Sequence, residues 1–257
     1  MGLWKVVPLC ERQLRDVNPA DILDDGLYRK CNTYKSGGGY DRFNSIYQKR
    51  FNTTEDFSNQ FVVQLYGCPL RCPYCYVTED GVFGKYTELY TETLIQDFEK
   101  SGCGVFHLMG GAPAIYLEQW HEILWGLDIL SRKNDRVYPF HSDFLLMEGT
   151  YNSDILKELA EYKNSLYAVS IKGATKVDFV KKTAYPNPDS LNWDLLFSNL
   201  RLLHDCGINY YLTFTGMSKA EIDSFCLQMK IKFGSTMTAD MLKDSFGINL
   251  VEYDALK

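Results

Sequence analysis

Three cysteines fall within one short stretch, Gly67-Cys68-Pro69-Leu70-Arg71-Cys72-Pro73-Tyr74-Cys75-Tyr76. Thiolates are soft ligands, and three on one loop can converge on a single metal centre, with Pro69 and Pro73 stiffening the segment that presents them. A structural zinc site takes four protein ligands, usually from paired Cys-x2-Cys elements. Here a fourth ligand is missing nearby, and no second Cys-x2-Cys occurs in the chain. Three thiolates suit a four-iron cluster with one iron left open for a substrate or cofactor. A zinc-stabilised binding module without catalysis is the alternative from a different class, and it predicts one colourless metal per chain.

A loop of this kind needs a scaffold. Six β-type runs alternate with helical patterns: Phe61 to Tyr66, Gly104 to Met109, Arg136 to Ser142, Leu166 to Lys172, Ile208 to Thr215 and Ile248 to Tyr253. Between them, Asn152 or Ser153 can cap a helix with Ile155, Leu156, Leu159 and Tyr162 on one face. Trp193, Leu196, Phe197, Leu200 and Leu203 form a second stripe ended by Gly207, and Ser218 with Glu221 makes a capping box ahead of a third. Strands separated by helices imply βα units and a parallel sheet, either an open (β/α)6 barrel or a doubly wound sheet. Pro139 disturbs the third run, because it cannot donate to a ladder.

Cys-x3-Cys-x2-Cys in the loop after the first strand, with the aromatic Tyr74 before the last cysteine, resembles the radical S-adenosylmethionine (radical SAM) superfamily. Met109-Gly110-Gly111-Ala112-Pro113, at the end of the second strand, is similar to that family's Gly-Gly-Glu-Pro motif. Ala112 stands where many members have Glu, so any side-chain role there is absent. The resemblance runs from about Phe61 to Tyr253. It implies an α/β fold, a partial (β/α)6 radical SAM barrel over residues 61–257, preceded by an N-terminal extension or lid over 1–60. It also implies that Cys68, Cys72 and Cys75 ligate a [4Fe-4S] cluster whose fourth iron binds the amino and carboxylate groups of S-adenosylmethionine. Tyr74, Gly110 and Gly111 then belong to the cofactor site. Ser170 and Lys172 match the late strand-four positions that meet the SAM ribose or carboxylate, and Ser142 is a similar candidate on strand three. An electron from the reduced cluster would cleave SAM to methionine and a 5′-deoxyadenosyl radical, which takes hydrogen from a substrate. The implied partner is an electron donor such as flavodoxin or ferredoxin. No cysteine lies between Cys226 and Lys257, so one cluster is expected.

Periodicity adds candidates independently of the family. Strands covered on both faces should be apolar throughout, so polar residues repeating with period two suggest a polar ligand in the lumen. Such positions are Gln64 and Tyr66, His107, Ser170 and Lys172, Tyr211, Thr213 and Thr215, and Asn249. His107 fits a satisfied core histidine better than a catalytic one. Between Gly26 and Asn52, six cations (Arg29, Lys30, Lys35, Arg42, Lys49, Arg50) face one acid, Asp41, interleaved with Tyr28, Tyr34, Tyr40, Phe43, Tyr47 and Phe51. That pattern suits a nucleotide-bearing substrate or, as the preferred reading, a solvated extension over one barrel end.

The composition is that of a soluble globular protein rather than a disordered or fibrous chain, with 257 residues, 46% hydrophobic and 23% charged. A net charge of −6 argues against broad nucleic-acid binding, though not against a nucleotide substrate. No apolar stretch is long enough to span a bilayer and no secretory signal opens the chain, so a cytoplasmic protein without membrane contact is expected. Cys10, Cys31, Cys103, Cys206 and Cys226 suit ordinary packing. Two substrate classes follow: a glycyl-radical partner protein, as for the compact pyruvate formate-lyase activases that this layout resembles, or a small metabolite, nucleotide or peptide.

Overall fold

The computed structural model describes residues 2–30, 40–75, 77, 82–147 and 149–248. The chain divides into two compact units, one of residues 1–68, 76–142 and 162–166, the other of 69–75, 143–161 and 167–257. Among the described residues, no helix is long and apolar enough to cross a membrane.

The first unit runs β1 (Leu3–Val6), α1 (Glu11–Asp16), β2 (Ile22–Leu23), β3 (Tyr28–Lys30), α2 (Tyr40–Phe51), β4 (Gln60–Gln64), β5 (Thr87–Tyr90), α3 (Thr91–Ser101), β6 (Val105–Met109), α4 (Trp120–Asn134) and the start of β7 (Phe140–Phe144). Strand β4 is buried along its whole length. It pairs in parallel with β6, which pairs in parallel with β7. One face of these strands carries the aromatic core: Phe61 lies 5.6 Å from Phe106 and 5.8 Å from Phe98 of α3, and Phe140 lies 5.6 Å from Trp120 of α4. The third strand starts at Phe140 rather than Arg136. Pro139, with no N–H to give, stays outside it and only accepts, from Phe106 N at 3.0 Å.

The N-terminal segment is not a solvated extension where it is described. Strand β3 pairs antiparallel with β4 and carries β2 on its outer edge, while β1 pairs with β5. An apolar strand such as β4 cannot leave an edge open to water, and the basic-aromatic stretch supplies the cover. Tyr28, Arg29, Ile46, Tyr47 and Phe57 are buried, and the Tyr47 hydroxyl donates to the Phe140 carbonyl at 3.0 Å. Cys31, Tyr34, Lys35 and the Gly37 to Gly39 triplet lie outside the described residues, as do the side chains of Tyr40, Asp41, Arg42 and Phe43.

The second unit contains α5 (Ser153–Glu161), β8 (Ser165–Ile171), α6 (Lys176–Thr183), α7 (Asp194–Asp205), β9 (Tyr210–Thr215), α8 (Lys219–Phe233), α9 (Ser235–Met241) and β10 (Phe246–Ile248). Strands β8, β9 and β10 pair in parallel in that order. The expected stripes are buried, with Leu156 and Leu159 on α5 and Leu196, Phe197, Leu200 and Leu203 on α7. Both arms of the Ser218–Glu221 capping box form at the start of α8. The sixth strand begins at Phe246, and residues 249–257, including Asn249, lie outside the described residues. The six parallel strands stand at the six sequence positions expected of a βα-repeating α/β protein.

Candidate metal and cofactor site

The cysteine loop departs from the end of β4, where nearly every backbone group is committed. Val7 N donates to Gln64 O at 2.8 Å, Tyr66 N to Lys5 O at 2.9 Å and Gly67 N to Val82 O at 2.8 Å. The Gly-Gly turn after β6 completes this anchoring, since Ala112 N donates to Gly67 O at 2.7 Å. Gly110 and Gly111 both have positive φ, +80° and +60°. A Cβ on Gly111 would sit 2.4 Å from Leu65 O and 2.5 Å from Gly67 O, and one on Gly110 would sit 2.5 Å from the Gln64 Cγ. These glycines are therefore required by the close approach of one loop to another, before any ligand is considered. Cys68 follows directly and is half-buried.

The strand face opposite the aromatic core is polar in this unit. Arg29, Val62, His107 and His141 are register partners across β3, β4, β6 and β7, so they share a face. Gln60 and Gln64 join it on β4. All five polar members are buried. His107 Nδ1 hydrogen-bonds Gln60 Oε1 at 2.7 Å, and the two imidazoles lie 4.1 Å apart. Burial holds His107 well below the usual histidine range, helped by His141 and Arg29, and pushes His141 down to about 3. His107 is thus a hydrogen-bonded, neutral core histidine. Ser142, the strand-three candidate, lies on the other face with Phe140 and Phe144, which alternate with His141 and Asp143. Its hydroxyl is buried with no hydrogen-bond partner among the described residues. Asp143, which sequence reading did not name, alternates onto the same face as His141. Alternation would have identified it, once Pro139 had fixed where the strand begins.

In the second unit, the rest of the loop forms a β-turn. Cys75 N donates to Cys72 O at 3.0 Å, with Pro73 pre-setting the first corner, so the Cys-x2-Cys spacing places both thiols at the ends of one turn. Arg71 N donates to Thr183 O at 2.9 Å, tying the loop to the end of α6. That helix can come close only because Gly173 has no side chain: a Cβ there would lie 2.5 Å from Phe179 N. Lys182, beside Thr183, is held by Gly216 O at 2.8 Å and Glu221 at 2.5 Å.

Lys172 emerges from the end of β8 with its ammonium 5.7 Å from the Tyr74 ring centroid. Burial, then the neighbouring Cys72 and Cys75, keep the Tyr74 hydroxyl protonated far above the ordinary tyrosine range. Burial pushes the Asp143 carboxyl up to about 7, against the opposing pull of Lys172. Ala168, Ser170, Tyr211, Thr213, Phe246 and Ile248 share one face by register, as Thr215 does with Ile248. Ser170 and Thr215 hydroxyls lie 3.4 Å apart on that face. Cation, carboxyl, phenol and hydroxyls thus gather in this unit with Cys72 and Cys75, in an arrangement able to meet a polar ligand. Among the described residues, no three His, Cys, Asp or Glu side chains form a ready-made metal-ion set.

A family sequence model for the Radical SAM superfamily matches residues 62–225. Among solved structures, the chain is similar to native anSMEcpe with bound AdoMet (S-adenosylmethionine), with a TM-score of 0.54 and 19% identity over 72% of this chain and 49% of that one. The same protein with bound AdoMet and Cp18Cys peptide matches with a TM-score of 0.52 and 18% identity over 72% and 48%. HydG, a maturase of the [FeFe]-hydrogenase, matches with a TM-score of 0.48 and 13% identity over 77% and 46%. The chain spans about half the length of these solved structures. No curated protein matches the chain.

Proposed function

Because the chain belongs to the radical SAM superfamily, whose members are enzymes, we propose that Cys68, Cys72 and Cys75 hold one [4Fe-4S] cluster that cleaves S-adenosylmethionine and starts hydrogen abstraction from a substrate. The observation carrying this reading is the donor set: three half-buried thiols on one loop whose take-off and turn are fixed by backbone hydrogen bonds. Three soft ligands leave one iron open, which suits the group. When bound, the cluster supplies the electron that opens the SAM sulfonium, giving methionine and the 5′-deoxyadenosyl radical.

The chain's own residues bind and orient. Lys172 is the cation for the SAM carboxylate, Ser170 with Thr215 offers hydroxyls to its ribose, and the Gly110-Gly111 backbone serves its amino group. Asp143 joins this set as a carboxyl near Lys172. Ser142 drops out of it, lying on the aromatic face of its strand. An electron donor of the flavodoxin or ferredoxin type completes the reaction.

For the substrate we propose a protein or peptide, with a glycyl-radical partner as the first candidate. Burial of Tyr28, Arg29 and Tyr47 removes them from the basic-aromatic lid that a nucleotide would need. One of the similar structures holds a peptide together with AdoMet. The deciding experiment is anaerobic reconstitution with iron and sulfide, then reductant and SAM, with 5′-deoxyadenosine quantified against Cys72→Ala. Product above that control is expected; a colourless, zinc-loaded protein without product would overturn the reading.

A further inference from the structure

Gln13 of α1 and Gln64 at the end of β4 are both buried, at 2% and 3% exposure. The Gln13 Oε1 accepts from Cys10 N at 3.1 Å, and its Nε2 donates to Gln64 Oε1 at 2.9 Å. Cys10 N can only donate, so the first bond fixes which end of the Gln13 carboxamide meets Gln64. Gln64 in turn packs against the Gly-Gly turn: a Cβ on Gly110 would stand 2.5 Å from its Cγ and 3.2 Å from its Cδ. The main chain runs alongside, with Val7 N donating to Gln64 O at 2.8 Å and Leu65 N to Met109 O at 3.3 Å. Contacts thus lead from α1 through two carboxamides to the backbone of Gly110. A hydrogen bond between two buried carboxamides adds little net stability, but either group left without the other is costly, so the pair holds one geometry.

We propose that Gln13 is a positioning residue for S-adenosylmethionine: through Gln64 it sets where the Gly110-Gly111 backbone stands, and so how well that backbone meets the ligand's amino group. The proposal rests on the radical SAM reading above, in which this turn serves the SAM amino group. It brings α1, which precedes the family match at residue 62, into the support of the cofactor site. Gln13 itself touches no ligand in this role. Without it, the Gln64 carboxamide turns toward another partner and carries its Cγ along. Gly110 then moves too, because no room for even a methyl group separates the two.

The test uses the full chain, reconstituted anaerobically with iron and sulfide, as wild type, Gln13→Leu and Gln13→Leu/Gln64→Met. Leucine keeps apolar bulk on α1 without the bond, and methionine keeps the Cβ–Cγ stem against Gly110 without a polar end. Iron content, amide exchange and the binding of SAM and of 5′-methylthioadenosine are measured for each. The second ligand carries the nucleoside without the amino-acid part. Gln13→Leu should keep full iron, weaken SAM about tenfold and leave 5′-methylthioadenosine unchanged. Exchange at Gly110 and Gly111 should quicken. The double variant should restore both SAM affinity and protection, since neither partner is then left with a polar group to satisfy. Unchanged SAM affinity in a loaded Gln13→Leu protein would overturn the proposal alone. Equal weakening of both ligands, or lost iron, would do the same, because either would mean a general loosening of the site. A wild type that takes up no cluster, or takes one up and binds no SAM, would overturn the radical SAM reading and the proposal with it.

Discussion

Asp143 keeps some exposed surface, yet the protein around it removes enough water to disfavour its charge and carry its pKa up to about 7, with Lys172 pulling the other way. A raised acid means that, between about pH 4 and 7, the native state holds a proton that the unfolded chain has released. Stability therefore falls as pH rises through that window, and the loss is complete above the folded value. Asp143→Asn removes this dependence, so its stability relative to wild type should climb from pH 4 to 7 and then level off in urea midpoints. A constant offset at every pH would sink the idea. His107 and His141 act with the opposite sign. Both are depressed, so the unfolded chain binds protons below about pH 6.5 that the native state refuses, and stability falls on acidification. Removing Asp143 should therefore steepen the remaining rise between pH 4 and 6.5. Lys172 is tested by binding instead. Lys172→Ala should weaken SAM affinity about tenfold or more, the loss of a charge-assisted hydrogen bond of about 1.5–3 kcal/mol, with iron content unchanged. Calorimetry on the loaded protein decides it, and lost iron would point to a folding role.

At the scale of elements, the turn after β6 makes a sharper demand than its sequence suggests. Gly-Gly reads equally well as a ligand approach or as a strand-to-helix turn, and the difference lies in what surrounds it. Gly111 would drive a Cβ into two backbone carbonyls that cannot swing aside, whereas Gly207, also at positive φ, has nothing within 4 Å. Gly207→Ala should cost about 1–2 kcal/mol, the left-handed penalty alone. Gly111→Ala should cost clearly more and also loosen the thiol loop, which would appear as faster hydrogen exchange at Gly67 and Ala112. Equal denaturation midpoints for the two variants would refute the steric account. The positions of the strands along the chain and the thiol loop were legible in the sequence, because period-two runs and Cys-x3-Cys-x2-Cys are local patterns. Asp143 was not, since its place on the polar face depends on the strand's alternation, and a one-residue slip exchanges the faces of a strand. The roles of Gly173 and Thr183 were not legible either, because they depend on contacts between residues apart in sequence. Their use became apparent once Gly173 met Phe179 and the Thr183 carbonyl took the Arg71 amide.

For the whole chain, the least legible part was the N-terminal segment. Alternating cations and aromatic rings read the same whether they meet water or a partner strand, and the pairing of β3 with β4 joins residues far apart in sequence. Burying Arg29, Tyr28 and Tyr47 makes this segment part of the first unit's core, so the family match from residue 62 onward does not mark where the folded body begins. A cluster on the thiol loop should then act on overall stability by mass action, because it binds the native arrangement and not the unfolded chain. At an effective ligand level of 100 times the dissociation constant this amounts to about 2.7 kcal/mol, and a chain of this size gains roughly 2–4 °C per kcal/mol. Anaerobic reconstitution should raise the melting temperature by roughly 5–10 °C, and iron chelation should remove the gain. Cys68→Ala, Cys72→Ala and Cys75→Ala should each forfeit it, since the gain comes from the bound cluster. If a colourless zinc-loaded protein shows the whole gain and the iron-loaded protein none, the three thiols stabilise a fold rather than carry an electron.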